Sequence, residues 1–233
     1  MTRPLLALIH SPRTRVYTAL ILWCALLVAA RAWRAGAPAY FFLCWNLFLA
    51  GVPAGASILF AHECRPGGRR TAAAAWFVVW LLFLPNAPYL VTDFIHLHQR
   101  PPVPLWFDIA LLTSFAGAGL LLGWGSVAEV HDSLTRVRGR AAGWSVAVAA
   151  LLLSGYGIYL GRFLRWNSWD AFSRPGALLD VVTGHARGHD VYQPMSVTIV
   201  YGAGLVLGYV AVRMMGRSFE GAPVSDRRRG SSR

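Results

Sequence analysis

The sequence predicts an all-α integral membrane bundle of about six transmembrane helices, and three observations carry that prediction. Hydrophobic residues make up 56% of the 233-residue chain, charged residues only 14%, and the mean hydropathy is +0.47, outside the range of an ordinary soluble domain. The apolar residues gather into six stretches with almost no charge, each near the ~20 residues that cross a hydrocarbon core about 30 Å thick. The 22 basic residues are all arginine and fall between, beyond or at the ends of those stretches. A net charge of +12 suggests a nucleic-acid partner in a soluble protein, but arginines placed at helix ends meet lipid phosphates instead. Nucleic acid is therefore excluded as a partner, and membrane lipid is expected.

The expected spans are Val16 to Trp33, Pro38 to Ala61, Thr71 to about Leu90, Leu105 to Val127, Ala141 to Leu160, and Pro194 to Val212. Arg3, Arg13 and Arg15 before the first apolar run resemble the start of a signal peptide. Five further spans favour an uncleaved first helix. The connection after the fifth span holds a seventh, short feature, with Ser173 as cap, Pro175 in the first turn, apolar Leu178, Leu179 and Val182, and Gly184 as stop. It suits a helix lying at the interface. Residues 1–215 thus form a transmembrane domain, and 216–233, without apolar period and rich in arginine, a disordered basic tail.

Orientation follows from the arginines. The N-terminal segment, the second and fourth loops and the tail hold 15, against 7 in the other three loops. Both termini are therefore expected in the cytoplasm. Arginine without lysine, and abundant alanine and glycine, fit a GC-rich bacterial genome, which makes the bacterial inner membrane the expected location. Cys24, Cys44 and Cys64 lack C-x-x-C spacing and are odd in number, so no disulfide framework or zinc site follows. Glycines four apart (Gly51/Gly55, Gly119/Gly123, Gly157/Gly161, Gly204/Gly208) predict close helix packing within the bundle rather than a dimer face, and oligomeric state stays open.

With that orientation, two polar motifs emerge on the outer face: FLPNAPYLVTDFIHLH at the end of span three and YLGRFLRWNSWD at the end of span five. Thr71 to Leu84 gives only about 21 Å of helix, so Pro85 to Pro88 fall at membrane depth. Either this is a discontinuous helix framing a pocket, with Asn86 as a polar wall, or the helix ends at Leu84 with Asn86 capping it. Arg162 and Arg165 leave the membrane one turn apart. They suit either an anion clamp or ion pairs with Asp93, Asp170 or lipid phosphate. Asn46, in the middle of span two, is expected to bond a neighbouring helix.

Asp93 and His96, three apart, share a helical face and are the candidate general base or acid. Asp108, His185 or His189 completing a metal site with them matches no strong signature, so no metal or other cofactor is expected. Intramembrane carboxylates deep in the spans are otherwise absent, which counts against coupled transport and charged-ring channels.

The motifs Trp80 to Leu97 (WLLFLPNAPYLVTDFIHL) and Gly157 to Phe172 (GIYLGRFLRWNSWDAF), preceded by WNLFLAGVP from Trp45 to Pro53, resemble the bacterial membrane family called domain of unknown function 1361, over roughly residues 40 to 212. The resemblance implies a multi-pass membrane protein with Asn86, Pro88, Tyr89, Asp93, His96, Gly161, Arg162, Arg165, Asn167, Trp169 and Asp170 at shared positions, and it implies no reaction. The leading functional expectation is an outer-face pocket between spans two to five. It would bind an anionic or lipid-linked small molecule through Asn86, Tyr89, Asp93, His96, Arg162, Arg165, Asn167, Trp169 and Asp170. The alternatives are a structural or assembly partner whose polar cluster locks helices, an enzyme acting on lipid phosphates, and a transporter.

Overall fold

A computed structural model describes residues 12–188 and 191–220, with side chains to Gly216. It is an all-α bundle. In chain order the helices are α1 (Pro12–Ala35), α2 (Phe42–Glu63), α3 (Arg70–Phe83), the single turn α4 (Asn86–Tyr89) followed by a 3-10 segment Leu90–His96, α5 (Leu105–Arg138), α6 (Arg140–Arg162), the single turn α7 (Asp170–Ser173), α8 (Pro175–Ala186) and α9 (Tyr192–Glu220). Six segments are long and apolar enough to cross a membrane, with Arg70–His96 counted as one. Their order matches the six expected spans.

The outside of the bundle is as apolar as its inside, as a lipid-facing surface requires: Leu22, Phe48 and Leu207 all stand exposed. Two apolar cores run through it. One, around Cys24, Leu43, Leu112 and Phe115, joins α1, α2 and α5; the other, around Trp80, Val127, Ile158 and Tyr209, joins α3, α5, α6 and α9. Helix α5 touches both, and at 34 residues it is about 51 Å long. It continues eleven residues beyond the expected end at Val127, and over that stretch Glu129 and Asp132 meet Arg13 on α1 and Arg213 on α9.

Successive spans reverse direction, so helix ends sort to two faces. At the face holding the start of α1 and the end of α9, nine arginines (13, 15, 65, 69, 70, 136, 138, 140 and 213) meet three carboxylates, Glu63, Glu129 and Asp132, among the residues whose side chains are described. The opposite face holds seven arginines and four carboxylates among the described residues.

Two local expectations are corrected. The cap of α8 is Arg174 rather than Ser173, whose hydroxyl donates to Asp170 instead. The helix also runs through Gly184 and stops before Gly188, whose φ of +92° only glycine adopts cheaply. Helix α9 continues to Glu220, and the rest of the expected tail lies outside the described residues.

Candidate functional site

The site is built around the two prolines that interrupt span three. The chain neither ends nor unwinds there: Leu84 and Pro85 keep right-handed helical dihedrals. Pro85 and Pro88 each lack an amide hydrogen, and the remaining donors shift to compensate. Ala87 N–H donates to the Leu84 carbonyl at 3.1 Å and Tyr89 N–H to that of Pro85 at 3.1 Å. The Asn86 side chain donates to the Phe83 carbonyl at 2.9 Å and to the Ser168 hydroxyl at 2.8 Å. The helix tightens into 3-10 geometry and delivers Asp93 to the bundle interior.

Glycines of α5 and α6 make room for this segment. A β-carbon at Gly119 would stand 2.4 Å from the Ala87 carbonyl oxygen, and one at Gly157 2.4 Å from the Pro85 ring. Gly123 meets Ala87 and Gly161 meets Tyr89, each at 3.0 Å. Two of the predicted pairs, Gly119/Gly123 and Gly157/Gly161, thus clamp one short segment between two helices. Gly51, Gly55 and Gly204 face open space, so close packing does not extend to them.

Behind the segment lies a closed polar network. Asp93, 1% exposed, accepts from Arg162 on one oxygen and from the Asn46 amide at 3.0 Å on the other. Arg162 Nε also donates to Thr92 Oγ1 at 2.9 Å, and its guanidinium covers the Tyr89 ring at 4.3 Å and comes within 3.5 Å of His96 Nε2. Asn46 bonds a neighbouring helix, as expected. Thr92 was not anticipated; its place one residue before Asp93 was the available signal.

On the other side of the segment a cavity of about 520 Å³ opens between α2, α3, α4 and α6. Its walls are mainly apolar, with Trp45, Leu49, Leu81 and Leu153 among them, while Asn46, Asn86, Arg165, Asn167 and Ser168 supply polar groups. Arg165 is exposed, and among the described residues no carboxylate pairs with it. Its φ of +58° lies in the left-handed region, a conformation that costs an L residue with a β-carbon about 1 kcal/mol or more.

Residues 163–188 roof the cavity. The Asp170 carboxylate accepts the Asn167 backbone N–H at 2.8 Å and pairs with Arg174 at 2.9 Å. The Asn167 hydrogen bond first, and Arg174 second, hold its carboxyl below the ordinary carboxylate range. Arg174 stacks over Trp166 at 5.0 Å. Helix α8 has no buried residue; it is held by Leu178, which lines the cavity, and by His185 Nδ1 bonded to the Tyr156 hydroxyl at 2.9 Å.

The structure therefore divides the expected residues. Asn86, Tyr89, Arg165 and Asn167 line the cavity. Asp93, His96 and Arg162 close on one another instead of lining it, because a buried carboxylate and guanidinium in a bundle pair with each other first. Asp170 ties the roof together, and Trp169 is exposed beside it. The two arginines of the expected clamp part company because α6 ends at Arg162, so helical spacing no longer relates it to Arg165.

Other candidates also find separate places. Asp108 forms a bidentate pair with Arg31 at 2.9 and 3.2 Å, the two being 0% and 2% exposed. The pair lies near the end of α1 and the start of α5, where the sequence puts Asp108, and is buried between the helices instead of joining the other polar residues of that face. His185 is on Tyr156, and His189 lies outside the described residues. Among the described residues, no three His, Cys, Asp or Glu side chains gather as metal ligands, and the three cysteines are unpaired.

Residues 45–213, which contain the proline segment, the network and the cavity, match the family described as protein of unknown function, DUF1361. The chain belongs to this family. The match spans every helix from α2 to α9, omitting α1 and the tail, so the cavity walls are family territory and the Arg31 anchor is not. Neither curated proteins nor solved structures give a match.

Proposed function

We propose that the cavity binds an amphipathic molecule with an anionic, phosphate- or carboxylate-bearing head, with Arg165 as the head's main partner and Asn86, Asn167 and Ser168 alongside. The observation that carries this reading is a cationic side chain, without a carboxylate partner among the described residues, lining a mainly apolar cavity together with Asn86, Asn167 and Ser168. An apolar body with a few convergent polar groups is the usual form of a small-molecule site, and guanidinium groups suit phosphate and carboxylate by geometry. By the arginine count the Arg165 side faces outward from a bacterial inner membrane, with both termini cytoplasmic.

Asp93 and His96 are not assigned a catalytic role in this reading. Both Asp93 oxygens are engaged and the side chain is buried away from the cavity, so a ligand there does not meet it. The Asp93, Arg162, Asn46 and Thr92 network favours a second role for those residues, that of locking α2, the proline segment and α6 together.

The test uses dodecyl phosphate, with dodecanol and inorganic phosphate as tail-only and head-only probes, titrated into the purified full chain. The proposal expects saturable binding of dodecyl phosphate, weaker binding of either part, and loss of about tenfold or more in Arg165→Gln. Equal binding of dodecanol and dodecyl phosphate, or an unchanged Arg165→Gln, overturns it.

A further inference from the structure

A second crevice, of about 380 Å³, lies at the opposite face of the bundle, between the start of α1 and the end of α9 with α5 as its floor. Arg13 and Arg213 stand at its sides, Tyr17 and Asp132 between them, and Leu121 and Val212 make its apolar part. Three observations bear on what it holds.

The first is an incomplete arginine. Arg213 pairs with Asp132 through Nη2, but its Nε is buried with no hydrogen-bond partner among the described residues. Such a donor is expensive to leave unmade, and more so at a membrane surface. The second is a loosely held neighbour. Arg13 is 68% exposed on its side chain and meets Glu129 only at 3.4 Å, which is beyond good charge-assisted distance, so its guanidinium is available to an incoming anion. Among the described residues the Tyr17 hydroxyl donates to the Leu121 carbonyl at 3.5 Å, a weak bond. The third is the field. Among the residues whose side chains are described, nine arginines against three carboxylates crowd this face, which disfavours a cationic head such as choline and favours a net negative one.

We propose that this crevice is a binding site for an anionic phospholipid. Its phosphate accepts from Arg213 Nε and from Arg13, the Tyr17 hydroxyl donates to a further oxygen, and an acyl chain lies along the apolar groove towards Leu121. Arg213 keeps its bond to Asp132 through Nη2 while Nε turns to the lipid, so the ion pair orients the guanidinium for the phosphate. The site lies across the bundle from the cavity under Arg165 and does not depend on the function proposed for that cavity.

The experiment compares binding of phosphatidylglycerol and phosphatidylcholine to the full chain by native mass spectrometry, released from mixed vesicles of the two lipids. The wild type is expected to retain one phosphatidylglycerol preferentially. Arg213→Lys keeps a positive charge for Asp132 but has no Nε–H, and should lose that preference by about tenfold. Arg13→Gln, at an exposed position where folding is not at stake, should weaken it less. A chain with Arg227, Arg228 and Arg229 all changed to Gln should keep it, which separates a built site from general attraction by the basic tail. Retained preference in Arg213→Lys, loss of it in the tail variant alone, or equal retention of both lipids by the wild type overturns the proposal.

Discussion

The wall and the roof of the main cavity are built in opposite ways. The wall, Pro85 to His96, is pressed between glycine faces of α5 and α6 and tied by a buried carboxylate to Arg162 and Asn46. The roof, 163–188, carries a helix with no buried residue, held chiefly by one histidine–tyrosine hydrogen bond and the Asp170 turn. Free energy of opening is not uniform across a structure, and it follows buried contact. The polar residues most eye-catching in the sequence thus serve the tightly packed wall, whereas Arg165, the exposed arginine proposed to meet a ligand, sits on the lightly packed roof.

Changes to the wall should be felt throughout the bundle. Asp93→Ala leaves Arg162 buried without its carboxylate and should cost about 3–5 kcal/mol of stability, read as a large drop in unfolding midpoint in detergent. A midpoint within a degree or so of wild type would remove the network from the account. Gly119→Ala sets a β-carbon against the Ala87 carbonyl and should cost about 1–3 kcal/mol; the same change at Gly51, which faces open space, should cost nothing measurable. Equal effects at the two glycines would mean that the proline segment is not clamped.

Changes to the roof should stay local. Tyr156→Phe removes the partner of His185 and should raise hydrogen exchange across 175–186, by an opening energy lower by about 1 kcal/mol, with the global midpoint unchanged. A uniform loss of protection would show that α8 belongs to the cooperative core.

The smallest effect concerns pH. A carboxyl whose acidity is strengthened in the folded protein stabilises it above the ordinary carboxylate range and stops doing so as pH falls through its lowered value. Asp170 is such a group. Protection of 165–174, corrected for intrinsic exchange, should therefore hold at neutral pH and fade only in acid, and Asp170→Asn should abolish that dependence. Fading near neutrality would point to a histidine instead.

The bundle was legible because hydropathy over twenty residues needs no knowledge of neighbours. Asn46 was legible for a similar reason, since a polar side chain in mid-span must bond something close. The Arg31–Asp108 pair was not, because alternation places both on one face but does not say that α1 and α5 are adjacent. Arg162 and Arg165 misled through spacing, which carries meaning only while the helix lasts, and it ends at Arg162. The stop of α8 was misplaced for a subtler reason. Gly184 is compatible with a helix, and only the chain's need for a positive φ distinguishes Gly188. Cavities are the least legible feature of all, since the space under Arg165 is made by residues from five separate segments.

The central claim is that the space under Arg165 is a binding site and not a packing gap. Cryo-electron microscopy of the full chain in lipid nanodiscs distinguishes the two. The account predicts elongated density in the cavity, with its polar end within hydrogen-bonding distance of Arg165 and Asn86 and its tail along Leu81 and Leu153. A cavity closed by Trp166 and Leu178 packing down onto Leu81, with Arg165 turned out to solvent, would contradict it.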